Sequence, residues 1–197
     1  MTKTFNIDLK AVASCAPAMS TEETRYYLCG VHIFEREGKV IYESTNGHFL
    51  IQVQSEIEQD EMDYAGLNII LPAFLVKQLS SKPIQKGFAV EEHTLVPCVI
   101  DGTRINVEMI DGLINFKLID GSFPDTARVI PTKASCKNLD FDAIGFSPTY
   151  MDKLGKSLKS YTGFSVLSAK FSGDEKSPIL IECSSPSWIA VLMPATV

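Results

Sequence analysis

The sequence predicts an α+β fold built from three copies of a strand–helix–three-strand unit, with antiparallel sheets that carry their helices on one face. The same order of elements can be traced three times along the 197 residues. The second and third copies align without a gap at their helices, at a spacing of 76 residues that places Pro72 on Pro148 and Lys77 on Lys153. The first and second copies align at a spacing of 62 near their starts. A recurring five-element order indicates a repeat architecture.

The first unit opens with alternating apolar and polar residues, which predict a strand, and continues with an Ala-rich segment that suits a short helix. Three segments rich in aromatic and β-branched residues then predict three strands. Asn46-Gly47 separates the last two and predicts a type I′ hairpin turn, because that turn needs positive φ at both central residues. The predicted helix is 10–20, and the predicted strands are 4–9, 25–35, 39–44 and 48–54.

An acidic run at residues 55–63 is predicted to be a solvated connection to the second unit. Pro72 fits the first position of the second predicted helix, where its missing N–H costs nothing. Asp101-Gly102 and Asp111-Gly112 predict hairpin turns between the strands that follow. The predicted helix is 73–81, and the predicted strands are 67–71, 88–100, 103–110 and 113–119.

Residues 121–131 connect the second unit to the third, and we expect them to pack along a seam between two bodies. Pro124 and Pro131 restrict the backbone on both sides, Val129 is apolar, and Arg128 offers a rigid fork of donors. An ordinary ordered loop is the alternative. A polar linker at 132–139 leads to the third unit, with a predicted helix at 148–161 and predicted strands at 141–146, 164–171, 179–183 and 188–194.

Composition narrows the class of protein. The formal net charge of −6 argues against a general nucleic-acid coat protein, although a local basic face is compatible with DNA contact. The five cysteines are widely spaced without a CxxC pair, which is typical of reduced thiols and of the cytoplasm. We find neither a signal segment nor an apolar run long enough to span a bilayer, so no membrane partner is expected.

Five short motifs, in order along the chain, resemble one family. They are Arg25-Tyr26-Tyr27-Leu28, Thr45-Asn46-Gly47-His48-Phe49-Leu50, Phe123-Pro124-Asp125 with Arg128-Val129-Ile130-Pro131, Ile144-Gly145-Phe146 with Tyr150, and Val191-Leu192-Met193-Pro194. Together they resemble the bacterial DNA polymerase III beta subunit, the sliding clamp.

The resemblance implies the DNA-clamp fold and a division of the chain. Residues 1–123 would be a clamp-like middle domain with units at about 1–60 and 61–123, residues 124–139 a connecting segment that forms part of a groove, and residues 140–197 the second half of the last domain. A clamp's first domain and the opening half of its last domain would be absent. Met1 directly before the first strand favours a naturally short chain.

The resemblance also implies a groove that binds clamp-motif peptides of DNA polymerase and of other replication or repair proteins. Its apolar members suit a hydrophobic anchor, and its polar members suit a rim. Phe49, where the family commonly has arginine, and the end Ala195-Thr196-Val197 depart from the family pattern. Carried over by position, the groove consists of Leu28, Thr45, Gly47, His48, Leu50, Pro124, Arg128, Val129, Tyr150, Val191, Met193 and Pro194.

A second implied role is contact with double-stranded DNA through sparse basic side chains on the helices. A solvated helix face is the competing interpretation of the same lysines. The residues assigned to DNA contact are Arg25, Tyr26, Tyr27, Lys77, Lys82, Lys153, Lys156 and Lys159.

No enzyme motif is found: the sequence has no GxSxG, HExxH, Walker or GxGxxG pattern, and its three histidines lack metal-ligand spacing. We therefore expect a non-catalytic protein without cofactor or metal. Two hypotheses follow. The first is a clamp-like processivity factor that encircles DNA as a homo-oligomer. The second is a non-ring module that competes for clamp-binding peptides or pairs with a full-length clamp to modulate the replisome.

Overall fold

The computed structural model describes residues 2–56, 63–81, 95–109, 112–136, 143–163, 166–173 and 175–195. Several predicted features lie outside these residues: most of the acidic connection, the start of the predicted strand at 88–100, Lys82, and residues 141–142 and 164–165 of two other predicted strands.

The described part of the chain forms eleven strands and three α-helices. The helices are α1 (Leu9–Cys15), α2 (Ala73–Leu79) and α3 (Pro148–Thr162). The strands are β1 (Thr2–Asp8), β2 (Gly30–Arg36), β3 (Lys39–Thr45), β4 (Phe49–Glu56), β5 (Asn68–Pro72), β6 (Leu95–Asp101), β7 (Arg104–Met109), β8 (Gly112–Lys117), β9 (Ser168–Phe171), β10 (Ile179–Glu182) and β11 (Trp188–Leu192). Short 3-10 turns are at Ala16–Ala18, Glu23–Leu28, Thr126–Arg128 and Lys133–Ser135.

The strands form two antiparallel sheets, as predicted for the α+β class. One has four strands in the order β1-β6-β7-β8, and the other has seven in the order β5-β2-β3-β4-β11-β10-β9. The first two units exchange their first strands, because β1 pairs with β6 and β5 pairs with β2. The third unit extends the larger sheet through the pairing of β11 with β4. The larger sheet is therefore continuous across the first and third units.

Each helix begins within one residue of its predicted start. Oδ1 of Asp8 accepts the N–H of Lys10 at 2.8 Å and caps α1. Pro72, predicted at the first helical position of α2, is its N-cap, and the helix begins at Ala73. Helix α3 starts at Pro148, and Gly163 ends it with a φ of 75°, a conformation that glycine adopts without strain.

Helix α1 is the centre of the core. It packs against β3 and β4 and against both other helices, and all its residues except Lys10 are buried. A buried polar cluster joins it to the third unit: Nε1 of Trp188 donates to the hydroxyl oxygens of Ser14 and Ser157, at 3.1 Å each. Those two oxygens are 2.9 Å apart. The cluster links α1, α3 and β11, so the first and third units share one core.

The prediction of a strand from residue 25 is wrong in its first part. Glu23–Leu28 is a 3-10 turn, and β2 begins only at Gly30. A side chain at Gly30 would overlap a backbone carbonyl of the neighbouring strand β5. The aromatic residues that suggested a strand, Tyr26 and Tyr27, pack on Gly121 instead.

The type I′ turn predicted at Asn46-Gly47 is also wrong. Thr45 pairs with Leu50, so four residues lie between the last paired positions of β3 and β4, and of these only Gly47 has a positive φ, 90°. The two-residue turn with positive φ at both central positions is at Glu37-Gly38, at 55° and 74°, between β2 and β3. A glutamate at positive φ gives no sequence signal for such a turn.

Two further predictions need adjustment. The hairpin at Asp101-Gly102 forms, but Asp101 pairs with Arg104, so Gly102 and Thr103 are its central residues. Strands β7 and β8 pair up to Met109 and Gly112, so Gly112 is the first residue of β8 and not a central residue of the turn predicted at Asp111-Gly112; Asp111 lies outside the described residues. The described part of the strand predicted at 141–146 contains a single bridge, between Gly145 and Ala195.

The segment after β8 crosses the outer face of the seven-stranded sheet, and we call residues 119–133 the strap. Its residues contact the strands of the sheet in their spatial order. The contacts are Ile119 with Ile70 on β5, Phe123 with His32 on β2, Thr126 with Glu43 on β3, and Lys133 with Glu182 on β10. The strap therefore crosses the face of one continuous sheet, whereas residues 121–131 were expected to pack along a seam between two bodies.

Of the helices formed by the described residues, none combines the length and the apolar character needed to cross a lipid bilayer.

Candidate functional site

A pocket opens between the strap, the β3–β4 loop and the end of β11. Its volume is about 180 Å³. The floor is the cross-strand pair Leu50–Val191, which joins the first unit to the third, and both side chains are 3% exposed. Val129 and Met193 stand at the mouth and are 47% and 37% exposed. The pocket therefore has an apolar floor and an apolar mouth that solvent reaches.

The β3–β4 loop forms one wall, and its own side chains hold it in shape. The Thr45 hydroxyl donates to the Phe49 carbonyl at 2.8 Å and accepts the Gly47 N–H at 3.1 Å. Oδ1 of Asn46 accepts the N–H groups of His48 and Phe49, at 3.0 and 3.2 Å. These side-chain hydrogen bonds replace the backbone hydrogen bonds of a tight two-residue turn, which is a common use of Thr and Asn in loops.

The strap forms the opposite wall. Asp125 caps the turn Thr126–Arg128: its Oδ1 accepts the Ala127 N–H at 3.2 Å, and its Oδ2 accepts Nε of Arg128 at 2.9 Å. Pro124 before this turn lines the pocket and has no backbone N–H to donate. The buried Thr126 fixes the wall to the sheet by donating to Oε2 of Glu43 at 2.6 Å.

Beneath the strap lies a row of buried polar side chains on the outer face of the sheet. Nε2 of Gln52 donates to Oε2 of Glu43 at 3.0 Å, and Nδ1 of His32 lies 2.9 Å from Oε1. The His32 ring is stacked between Phe34 and Phe123, with ring centroids 4.6 Å away on both sides. The carboxylate of Glu43 is thus surrounded by donors, which is the condition for burying a charge.

On the far side of the loop, helix α3 supports the pocket. The Tyr150 ring lies against the rings of His48 and Phe49, at centroid distances of 5.7 and 5.0 Å. Nζ of Lys153 is 5.8 Å from the centroid of Phe49. The Met193 N–H donates to the His48 carbonyl at 2.9 Å, which continues the β4–β11 ladder around the pocket.

The structure brings eight of the twelve predicted groove residues around this pocket: Thr45, Gly47, His48, Leu50, Pro124, Val129, Val191 and Met193. The other four do not line it. Leu28 is buried, Arg128 is turned to Asp125 and is 83% exposed, Tyr150 backs the loop, and Pro194 follows Met193.

Three lining residues were not predicted: Phe49, Asp125 and Thr126. Phe49 is only 2% exposed, so the replacement of the family's arginine adds buried rather than open apolar surface. Asp125 could have been found, because Asp before a short helical turn is a capping signal. The role of Thr126 depends on Glu43, which is 83 residues away in the sequence, and no local pattern reveals that contact.

The residues assigned to DNA contact separate into two groups. Arg25 lies beside the pocket, where its guanidinium approaches Gly47, and Tyr26 and Tyr27 pack on Gly121 of the strap. Lys77 is exposed on α2. On α3, Lys153 is half-buried over Phe49, whereas Lys156 and Lys159 are exposed. Nζ of Lys156 is 2.6 Å from Oδ2 of Asp152, so its charge is partly balanced.

The thiols and the metal-ligating side chains give no sign of chemistry in the described residues. All five cysteines are free, and burial raises the pKa of the Cys15 and Cys98 thiols, which keeps them protonated. Within the described ranges, His, Cys, Asp and Glu side chains nowhere gather in a group that could hold a metal ion.

The chain is similar in sequence to proteins of one family. Residues 5–125 match the sequence profile of the DNA polymerase III beta subunit, central domain. Two similar curated proteins are beta sliding clamps. That of Synechocystis is 28% identical over 127 residues, covering 60% of this chain and 32% of the relative. That of Chlamydia trachomatis is 32% identical over 121 residues, covering 60% and 26%. The chain spans about a quarter to a third of the length of these relatives.

Solved clamps share the fold over the whole chain. The sliding clamp of Bartonella birtlesii bound to griselimycin is 21% identical, with a TM-score of 0.76 over 99% of this chain and 66% of that one. The clamp of Caulobacter crescentus also gives 0.76, over 100% and 66%. These structures show the fold alone, whereas the profile match covers more than half of the sequence. The chain therefore belongs to the family of the DNA polymerase III beta subunit, the bacterial sliding clamp.

Proposed function

We propose that this chain is a clamp-like protein of DNA replication or repair, whose pocket binds short peptide segments of DNA polymerase and of other proteins with clamp-binding motifs. The observation that carries the proposal is the pair Leu50–Val191 at the bottom of an open apolar pocket. An apolar pocket that is open to solvent marks a site where a folded protein binds another molecule. We propose that the protein acts in the cytoplasm and that it catalyses no reaction.

The size and lining of the pocket favour a peptide. A volume of about 180 Å³ is below the roughly 300 Å³ at which pockets for drug-sized ligands begin, so it suits one or two apolar side chains. Met193 at the mouth has a flexible thioether side chain, which adapts to anchors of different shape. Thr45, His48 and Asp125 supply polar groups at the rim for the peptide backbone.

The test is a fluorescence anisotropy titration with a labelled peptide that carries a clamp-binding motif. Val129→Asp and Met193→Asp place a charge at the mouth of the pocket and should raise the Kd at least about tenfold, or ~1.4 kcal/mol. Val166→Asp is the matched control, because Val166 is a 78% exposed valine that does not line the pocket. Absence of binding by the wild type at high micromolar concentration would overturn the proposal, and so would equal affinities for all variants.

We also propose that residues 140–197 correspond to the second half of a clamp's last domain, so that the pocket lies between a middle domain and a half-domain. The pairing of β11 with β4 and the shared cluster around Trp188 support this division. A chain so organised keeps both walls of the peptide pocket.

Encirclement of DNA by an oligomer is the second candidate, and the exposed Lys156 and Lys159 of α3 favour it. Lys156→Glu combined with Lys159→Glu should abolish binding to a labelled DNA duplex at low salt, and should leave peptide affinity unchanged, because neither residue lines the pocket. Lys176→Glu, on the loop between β9 and β10, controls for the reversal of charge at an exposed lysine away from α3.

A wild type that binds peptide but not DNA would favour the alternative, a non-ring module that competes for clamp-binding peptides or pairs with a full-length clamp.

A further inference from the structure

As formed by the described residues, the two sheets have four edge strands, and the chain itself covers two of them. On β1, the Thr4 carbonyl accepts the Asp63 N–H at 2.8 Å, and the Tyr64 hydroxyl bonds both backbone groups of Asn6. On β5, the carbonyl of Ile70 accepts an N–H from the strap at 3.0 Å. Such covers prevent pairing with another strand.

The other two edges differ in length. Strand β9 has four residues, and its Lys170 is held by an ion pair with Glu182 on β10. Strand β8 has six residues, and within the described ranges only β7 pairs with it. Its sequence, Gly-Leu-Ile-Asn-Phe-Lys, contains no proline and a single charge at its end. Among the four edges, β8 is therefore the one most open to strand addition.

Exposed apolar side chains surround this edge. Leu113 is 66% exposed on the outer face of β8. On the inner face, the ring of Phe116 lies 5.7 Å from that of Phe74 on α2, and Phe74 is 63% exposed. A free edge flanked by large exposed apolar groups on both faces indicates an interface.

The chain already contains a junction that shows how such an edge is paired. Strand β4 is the last strand of the first unit and β11 is the last strand of the third, and they pair antiparallel. Next to them, helices α1 and α3 of the same two units meet at Ser14 and Ser157. Strand β8 is the last strand of the second unit. Since β4 and β11 pair with each other, the described residues contain no last strand that is free to pair with β8.

We propose that β8 pairs antiparallel with β8 of a second copy of this chain, about a two-fold axis at Asn115, with α2 of each copy alongside. An antiparallel strand can pair with itself under two-fold symmetry, which gives a closed, self-complementary interface. This inference concerns assembly and does not depend on peptide binding.

The faces of the sheet determine the register. Side chains alternate between the two faces along a strand, and residues directly opposite in an antiparallel pair point to the same face. In a pair of two β8 strands, opposite residues must therefore both have odd numbers or both have even numbers. With Asn115 opposite itself, Ile114 faces Phe116 of the second copy on the inner side. On the outer side, Leu113 faces Lys117 of the second copy. In this register the Ile114–Phe116 contact forms twice, once on each side of the two-fold axis.

The first test is the mass in solution, by sedimentation equilibrium over micromolar concentrations. The wild type should form a dimer. Leu113→Lys would place two lysines opposite each other at both ends of the interface and should raise the dimer Kd about tenfold, because like charges directly opposite oppose pairing. Adding Lys117→Glu restores opposite charges and should restore the dimer. Circular dichroism melts of each variant verify that the 66% exposed position leaves the fold unchanged.

A disulfide tests the register. Opposite residues have Cα atoms roughly 4.5–5.5 Å apart, within the range that a disulfide spans. Oxidised Asn115→Cys should therefore cross-link two copies, and the peptide map should show the introduced thiol joined to the same position of the second copy. Asn106→Cys, on the same face of β7, would lie about 14 Å from its symmetry mate, three strand spacings, and should not cross-link. A monomer throughout, or a dimer insensitive to Leu113→Lys, would overturn the inference.

Discussion

Oγ1 of Thr126 lies 2.6 Å from Oε2 of Glu43 and donates a buried hydrogen bond to it. Glu43 is 1% exposed, and Gln52 and His32 contact the same carboxylate. The bond joins the strap to β3 directly behind the strap wall of the pocket. The polar row on the outer face of the sheet thus keeps the wall from Pro124 to Val129 in place.

The first prediction concerns this bond. Thr126→Val replaces the hydroxyl by a methyl group and leaves the buried carboxylate with one donor fewer, so we expect the free energy of unfolding to fall by about 1–3 kcal/mol. Thr126→Ser keeps the donor and should lose clearly less. Urea unfolding measures both, and peptide affinity should fall with Val but not with Ser. Equal stability of the two variants would show that the bond contributes nothing.

The second prediction concerns the β3–β4 loop. Gly47 has a φ of 90°, and a side chain there would lie 3.0 Å from a guanidinium nitrogen of Arg25. Gly47→Ala should cost about 1–2 kcal/mol of stability through backbone strain and weaken peptide binding by moving the loop. Gly155→Ala on α3 is the control: its side chain meets nothing within 4 Å, and we expect a gain of about 0.5–1 kcal/mol. Thermal and urea unfolding should therefore shift in opposite directions for the two variants.

The sequence predicts the helices and strands well where residues nearby in the chain determine them. The helices at Pro72 and Pro148 follow from proline signals and the first helix from its Ala-rich segment, and the order strand, helix, three strands follows from periodicity in the first two units. The turn at Glu37-Gly38 could not be predicted in this way. Its glutamate adopts positive φ because the pairing of Arg36 with Lys39 leaves room for only two residues.

The polar side chains that support the pocket could not be predicted from the sequence, for a different reason. His32, Glu43 and Gln52 occupy outward positions of their strands, where polar residues are expected to face solvent. The strap covers that face, and only tertiary structure reveals the cover. Leu50 and Val191 were found through the resemblance, because an apolar residue on a strand predicts core rather than pocket.

The third prediction concerns the link between the first and third units. Ser14→Ala and Ser157→Ala each remove one acceptor of the buried Trp188 N–H, and each should cost about 1 kcal/mol. Because the three side chains contact one another, the double variant should depart from additivity by about 0.5 kcal/mol or more. Trp188 is the single tryptophan, so its fluorescence reports on this junction. Its unfolding transition should coincide with that of circular dichroism. Two separate transitions would contradict a shared core.

The fourth prediction is a pH dependence at the far end of the strap. Hydrogen bonds from Lys170 and Lys133 lower the pKa of Glu182 below its ordinary value of 4.5. The unfolded chain therefore binds the proton first, so the stability from these pairs is complete above pH 4.5 and is lost as the pH falls through the lower folded pKa.

Glu182→Gln should accordingly be less stable than the wild type at neutral pH, and the difference should narrow once the pH drops below 4.5. Glu108→Gln, on the exposed side of β7, controls for the removal of a surface carboxylate. Urea unfolding at a series of pH values gives the difference at each point. A difference between wild type and Glu182→Gln that stays constant down to low pH would mean that the two lysines do not hold the carboxylate in its charged form, and that the strap reaches β10 without an electrostatic anchor.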